Sequence, residues 1–316
     1  MLVHRGLPAH PAAHGHVVTI GNFDGVHLGH QAILRELEAA SRRHGAPSCV
    51  VTFEPHPREF FSPHAAPTRL TSLREKCELL QRHGVARAQI IRFNRDFASL
   101  SADTFIERVL VRGLKARWVM IGEDFRFGSK RVGDFAHLQR AGRAAGFEVH
   151  AMPTVEHGTD GRPATRVSSS ALRELLSAGD ISGARTLLGR PYNISGRVIH
   201  GDKIGRTLGF PTANIQLRHN RPPLTGIYAV TVDGAGPASL EAVASMGVRP
   251  TVTGSGEMRL EVYIFDFAAD IYGRHLRVNF LKKLRDEEKY AGLEALKQQI
   301  ALDCDEARSF FRSGRT

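Results

Sequence analysis

The residues best suited to chemistry lie near the N-terminus, in Val18-Thr19-Ile20-Gly21-Asn22-Phe23-Asp24-Gly25-Val26-His27-Leu28-Gly29-His30. An apolar β-type run enters a Gly-containing turn, and two histidines then open a helix. Ile33, Leu34 and Leu37 mark that helix on one face, with Glu36, Glu38 and Arg42 around it. A strand–turn–helix junction leaves backbone N–H groups unpaired and aimed at the turn, where phosphate is the usual guest. His27 and His30 can donate further hydrogen bonds to phosphate oxygens as charge shifts during transfer. The chemistry this suggests is nucleotidyl transfer from a nucleoside triphosphate, with Gly21, Asn22, Phe23, Asp24 and Gly25 forming the turn that binds it. A His pair can also do no more than cap a helix, so this motif does not decide alone.

Four further constellations carry chemistry. Gly122-Glu123-Asp124-Phe125-Arg126-Phe127-Gly128 brackets two aromatics with glycines. It offers a ring face to a flat ligand, or is a turn with two half-buried rings. Arg166-Val167-Ser168-Ser169-Ser170-Ala171-Leu172-Arg173 starts a helix with three hydroxyls and two guanidiniums. One serine at least serves as a cap; the whole set suits a leaving pyrophosphate. Gly201 to Asn214 lacks the Gly-Lys-Ser/Thr of a Walker A loop, yet its glycines permit close phosphate approach. Thr212 and Asn214 add the hard oxygens that Mg²⁺ prefers. Glu261 shares a strand face with Tyr263 and Phe265, where an outward carboxylate is also commonplace.

These residues carry a resemblance. Phe-Asp-Gly-Val-His-x-Gly-His resembles the signature of nucleotidyltransferases that use a His-x-Gly-His turn. More narrowly, it resembles the adenylyltransferase half of the bacterial bifunctional riboflavin kinase/FAD synthetases. Residues 122–128 resemble that half's flavin-pocket loop, which implies flavin contacts from Asp124, Phe125 and Phe127; Asp124 stands where some members carry Asn. Residues 166–173 resemble its second ATP motif, with Arg166, Ser169, Ser170 and Arg173 at matching positions. Pro211-Thr212-Ala213-Asn214 resembles the flavokinase signature. By the same resemblance Gly201, Lys203, Gly205 and Gly209 bind ATP, and Thr212 and Asn214 hold Mg²⁺. Glu261 is the general base for the ribityl 5′-hydroxyl, and Arg285 lies near the flavin. Tyr263 occupies a place where many members have His. The likeness runs from about Val17 to Phe311. It implies riboflavin phosphorylation by ATP to FMN, then adenylylation of FMN to FAD with release of pyrophosphate. In the second step His27, His30, Ser169 and Arg173 position groups and stabilise charge, because the attacking FMN phosphate is already ionised.

The elements that must position these groups read as two kinds. Candidate strands Val17–Ile20, Ser48–Phe53, Ala88–Phe93, Trp118–Ile121 and Glu148–Met152 alternate with helical stretches such as Ser72–His83 and Ala102–Val111. That pattern predicts a parallel sheet covered on both faces. A helical pair follows from Ser168, with Gly179-Asp180 ending one helix and capping the next. Gly189-Arg190-Pro191 breaks the pattern. Beyond it lie short β-like runs at Tyr192–His200, Gly226–Val232, Glu241–Met246, Glu257–Phe265 and Leu276–Leu281. A closing helix bears Leu293, Leu296 and Ile300 on one face. The expected fold class is α/β plus all-β: a Rossmann-like nucleotidyltransferase domain over residues 1–188, then a small antiparallel β-barrel with a C-terminal helix over 189–316.

Bulk properties set the limits. A chain of 316 residues fits two domains. Its apolar runs are too short for a membrane span, and its first residues lack the apolar core of a signal peptide. Cys49, Cys77 and Cys304 are too far apart for a Cys-x-x-Cys metal site. A cytoplasmic enzyme without membrane partners is the expectation. The net charge of +11 attracts polyanions, but the basic residues are scattered, which favours riboflavin, FMN and ATP as partners over specific nucleic acid. Nothing in the sequence sets an oligomeric state. Two rival readings stand: an enzyme with one live activity, and a basic nucleotide- or RNA-binding protein without turnover.

Overall fold

In the computed structural model, residues 1–8, 10–152, 155–157, 165–201, 204–218, 221–249 and 257–314 are described. Contacts divide the chain into two units. One is Met1–Pro67 with Leu73–Ser168, the other Thr68–Ser72 with Ser169–Thr316.

The first unit is built around central strands that are buried on both faces. Its elements run β1 (Leu2–Arg5), β2 (His16–Ile20), α1 (Leu28–His44), β3 (Ser48–Glu54), α2 (Pro57–Phe61), α3 (Leu73–Arg82) and β4 (Arg87–Arg92). They continue through α4 (Arg95–Ala98), α5 (Ala102–Phe105), β5 (Ala116–Gly122), α6 (Phe135–Ala145) and β6 (Glu148–Met152). A short antiparallel pair, β7 (Glu156–His157) with β8 (Thr165–Arg166), ends the unit. Strands β1 to β6 form one parallel sheet in the order β1-β4-β3-β2-β5-β6. All of β2 is buried, as a doubly covered parallel strand requires. Val17, Val50, Trp118 and Met120 meet Leu34 and Leu37 of α1 on one side. Val18, Ile20, Val51 and Ile121 meet Val109, Leu110 and Leu114 on the other.

Two departures from the sequence reading have physical causes. Strand β1 lies in a His- and Pro-containing segment. It is a short, exposed edge strand on β4, so it carries no alternating apolar signal. The helix expected over Ala102–Val111 is α-helical only to Phe105 and continues as a π-helix over Ile106–Gly113. Ile106, Val109, Leu110 and Gly113 are still its buried face. Over eight residues that spacing does not separate the two periods.

The second unit begins with α7 (Ser169–Ala178) and α8 (Ile181–Leu188). Asp180 caps α8 by accepting from the Gly183 N–H at 2.8 Å, and Gly189 ends it in the left-handed conformation. Then come β9 (Tyr192–Ile199), α9 (Ile204–Thr207), β10 (Ala213–Ile215), β11 (Gly226–Asp233), β12 (Leu240–Arg249), β13 (Glu257–Ile264), β14 (His275–Arg285) and α10 (Leu293–Arg312). The strands close a barrel in the order β10-β13-β12-β11-β14-β9, with antiparallel neighbours throughout. Alternation fills its interior: Leu276, Val278 and Phe280 are fully buried, whereas their neighbours in β14 are not. Helix α8 packs on β9 and β14. The pair α7–α8 therefore groups by contacts with the barrel.

Helix α10 covers the outer face of the barrel unevenly. Cys304, Ala307 and Phe311 pack against Ile227, Ala229, Val243 and Phe265. Leu293, by contrast, is 61% exposed.

Candidate active sites

In the first unit the chain leaves β2 for β3 and β4 on one side, and β5 for β6 on the other. Open α/β sheets bind ligands at such a switch point, outside the carboxyl ends of the strands. The Gly21–Gly25 turn leaves β2 there, and the Gly122–Gly128 loop leaves its neighbour β5. The turn is strained. Phe23, Gly25 and Val26 all have positive φ, at 49°, 84° and 40°, and a β-branched residue there is a genuine outlier. Strain of this kind persists only where the surroundings over-determine it. Here Phe23 and Val26 are locked in the core, and Gln31 Nε2 donates to the Val26 carbonyl at 3.0 Å. Phe23 thus has only its backbone to offer a ligand, and Asp24 is also buried.

His27 is the N-cap of α1. Its Nδ1 accepts from the His30 N–H at 3.3 Å, which leaves Nε2 to carry the proton in the neutral ring. The two imidazoles stack at 3.7 Å and 17°, and the Phe23 ring lies 4.9 Å from His30. Gly29 admits this geometry, since a Cβ there would sit 3.1 Å from His27 Nδ1. His30 Nδ1 is buried with no hydrogen-bond partner among the described residues. Burial, with His27 and Lys76 adding, pushes the His30 imidazole well below its ordinary 6.5. At neutral pH it is uncharged.

Lys76 was missed by the sequence reading. It is 3% exposed on α3, with Nζ 3.5 Å from Thr52 Oγ1. Thr52 in turn donates to the Asn22 carbonyl at 3.2 Å. Its signal was a lysine on the buried stripe of α3, one turn before Leu80. The loop after β5 separates its candidates. Phe127 is buried in the core, while Phe125 is half-exposed and stacked on it at 5.8 Å, so only Phe125 presents a face. Asp124 accepts from Arg166 at 3.0 Å with both side chains exposed, and this neutralises the carboxylate locally. A further series of rings joins exposed Phe61 through Phe93, Phe97 and Phe105 to Phe127. Ser169, Ser170 and Arg173 start α7 in the second unit. There Arg173 Nε donates to the Thr68 carbonyl at 2.6 Å.

In the second unit a cavity of about 570 Å³ gathers Gly205, Thr212, Asn214, Glu261, Tyr263 and Arg285 on its walls. Register explains the grouping, because Asn214 of β10 lies directly opposite Glu261 of β13, so both face outward. Thr212 Oγ1 donates to Glu261 Oε2 at 3.5 Å. A Cβ on Gly201 would collide with the Asn214 side chain, so glycine at that position lets the amide lie over the loop. Gly205 accepts from the Phe210 N–H at 2.7 Å, which closes the 205–210 turn on itself, and Gly209 takes φ +89° within it. Position 203 lies outside the described residues. Arg285 is held by Asp303 of α10 through Nε and Nη2, each at 2.7 Å, while Nη1 donates to the Asp286 carbonyl at 2.9 Å. Its hydrogen bond to Asp303 raises its pKa. Asp303 was not legible as a partner, being one acid on a helix of mixed charge. Leu293, Leu296 and Ile300, expected as packing residues, supply part of the apolar lining of this cavity.

Thr212 and Asn214 form a fitting but incomplete donor set for Mg²⁺. No group of three or more His, Cys, Asp or Glu among the described residues could hold a metal. An ion that keeps one or two protein oxygens and takes the rest from nucleotide phosphates and water matches this set.

The family model for FAD synthetase matches residues 9–171, and that for riboflavin kinase matches residues 188–311. The bifunctional riboflavin kinase/FMN adenylyltransferase of Pseudomonas fluorescens is 51% identical over 306 residues, 96% of each chain. The chain belongs to the bifunctional riboflavin kinase/FMN adenylyltransferase family. Relatives bearing the same name in Escherichia coli K12 and Haemophilus influenzae are 48% and 45% identical. They cover 94% and 98% of this chain, and 93% and 99% of their own. A crystal structure described as a macrolide-efflux protein from Streptococcus pneumoniae superposes with a TM-score of 0.80 at 30% identity, covering 98% of this chain and 99% of that one. The efflux label stays with that protein; no helix among the described residues here is long and apolar enough to cross a membrane. As a family member the chain is an enzyme, with the FAD synthetase region preceding the riboflavin kinase region. The two family models leave residues 172–187, most of α7 and α8, to neither.

Proposed function

We propose that the barrel unit transfers the γ-phosphoryl group of ATP to the 5′-hydroxyl of riboflavin. The parallel-sheet unit then joins the resulting FMN to AMP from a second ATP. The observation that carries the first step is the row Thr212, Asn214 and Glu261 on one cavity wall beside an apolar lining from α10. A flat, largely apolar ring system suits that lining, and the hydroxyl end of its side chain then meets the polar wall. Glu261 accepts the hydroxyl proton as the oxygen attacks. Thr212 and Asn214 would hold Mg²⁺, which neutralises phosphate charge when bound.

In the second step the nucleophile is a phosphate already ionised at neutral pH, so positioning and charge stabilisation replace base catalysis. His27 and His30 donate hydrogen bonds, and His30, lowered by burial, does so without adding a fixed charge. Arg166, Ser169, Ser170 and Arg173 are proposed for the triphosphate, and Phe125 for the flavin ring. The basic surface binds polyanions loosely; association with DNA is weak and disappears as salt rises. The cytoplasm, where ATP is supplied, is the proposed compartment.

Incubation with riboflavin, ATP and Mg²⁺, with FMN and FAD resolved by chromatography, tests this reading. Sequential appearance of both products is expected. FMN alone would leave a single live activity, and neither product would leave a binding protein.

A further inference from the structure

A second carboxylate borders the kinase cavity and has no part in the chemistry above. Ser245 of β12 lies directly opposite Glu261 of β13, which lies opposite Asn214 of β10. The three side chains therefore form one outward row across neighbouring strands, with roughly 5 Å between Cα atoms at each step. Glu287, from the segment between β14 and α10, comes down at the Ser245 end of this row. Ser245 Oγ donates to Glu287 Oε1 at 3.1 Å. A Cβ on Gly247, two residues further along β12, would collide with the Glu287 carboxylate. A hydroxyl on one side and a glycine on the other thus seat Glu287 on the strand. Ser245, Glu261 and Glu287 all line the same cavity.

We infer that Ser245 and Glu287 read the inner hydroxyls of the polyol arm whose terminal hydroxyl Glu261 deprotonates. This rests on the riboflavin kinase reading of the cavity. An ionised carboxylate is acceptor-only, with room for about four hydrogen bonds, and Ser245 fills one of them. Vicinal hydroxyls supply donors at successive carbons, at the spacing of a chain running from Glu261 along the row. Such a pair recognises hydroxyls specifically, because a site built to bond a hydroxyl binds the analogue lacking it poorly.

The test compares riboflavin with 7,8-dimethyl-10-(5-hydroxypentyl)-isoalloxazine, which keeps the ring system and the reacting hydroxyl and lacks the inner three. In the full-length protein, kcat/KM is expected to favour riboflavin by at least tenfold, carried in KM, with the same ratio in Kd from quenching of flavin fluorescence. Glu287→Gln should narrow the ratio to about threefold or less, as should Ser245→Ala, which keeps the strand intact should the first variant not fold. A purely structural role would lower both substrates together and leave the ratio untouched. That result overturns the inference, as does a wild-type enzyme with no preference for riboflavin. If the wild type does not phosphorylate riboflavin at all, the kinase reading itself fails, which is a different outcome.

Discussion

As the proposed base, Glu261 would take a proton from an alcohol that is not acidic at neutral pH, so its worth lies in where it stands. Thr212 Oγ1 lies 3.5 Å from one of its oxygens, and strand register sets it beside Asn214. Glu261→Gln keeps shape and hydrogen bonding and removes only the base. FMN formation at saturating riboflavin should fall on the order of 10²–10⁴-fold, and near-normal turnover would refute the assignment. His30 is the residue proposed for the other reaction. Its ring is neutral, stacked on His27, and holds a buried nitrogen without a partner among the described residues. His30→Ala should suppress FAD formation from supplied FMN by on the order of 10²-fold while FMN formation persists. A parallel loss of both activities with circular dichroism unchanged would contradict separate sites.

Elements decide which of these residues can meet. Asn214 reaches the kinase wall because β10 pairs with β13 in one register and because Gly201 leaves room above it. Gly201→Ala should displace the Asn214 amide and cut FMN formation about tenfold or more, without touching adenylylation of supplied FMN; assays with each flavin separate the two effects. The same logic explains what was legible in the sequence. Strands β2 to β5 were readable because parallel strands buried on both faces are runs of Val and Ile. The barrel was readable from alternation and turn residues. Strand β10 was not, since three residues within a functional loop carry no period. Lys76, Asp303 and Glu287 were hidden for a different reason. Their roles come from neighbours more than 15 residues away in sequence, Thr52 for Lys76, Arg285 for Asp303 and Ser245 for Glu287, and no local spacing encodes such pairs. Phe127 shows the limit of reading motifs without burial. A glycine-bracketed aromatic looks like a ligand platform, but its ring is in the core and only Phe125 is left at the surface.

At the scale of the whole molecule, burial sets both the response to acid and the places where the chain can be divided. His16 is 6% exposed, donates from Nδ1 to the Leu114 carbonyl at 3.0 Å, and has its pKa lowered by burial. His30 is lowered further. A histidine depressed in the folded state binds protons more readily when unfolded. Stability is therefore full above about pH 6.5 and declines as pH falls through that value. The Tm should drop between pH 7 and 5, and His16→Asn, which can keep a donor toward Leu114, should flatten that drop; an unchanged slope would remove His16 from the account. Division of the chain follows from α8. Its Ile181, Ala184, Leu187 and Leu188 are buried, and the helix packs on β9 and β14 of the barrel. A fragment of residues 169–316 keeps that cover, while one of residues 189–316 exposes it. Each fully buried aliphatic side chain contributes about 1.5–3 kcal/mol, so losing α8 should cost several kcal/mol, a large share of the stability of a small domain. The longer fragment should unfold cooperatively and make FMN but no FAD, since it carries Thr212, Asn214 and Glu261 and lacks His27 and His30. The shorter one should melt at a distinctly lower temperature or fail to fold. Thermal unfolding and chromatographic assay of both fragments decide the matter. Equal stability would put the boundary at the Gly189-Arg190-Pro191 break, and a folded longer fragment without kinase activity would mean that the barrel does not hold a complete site.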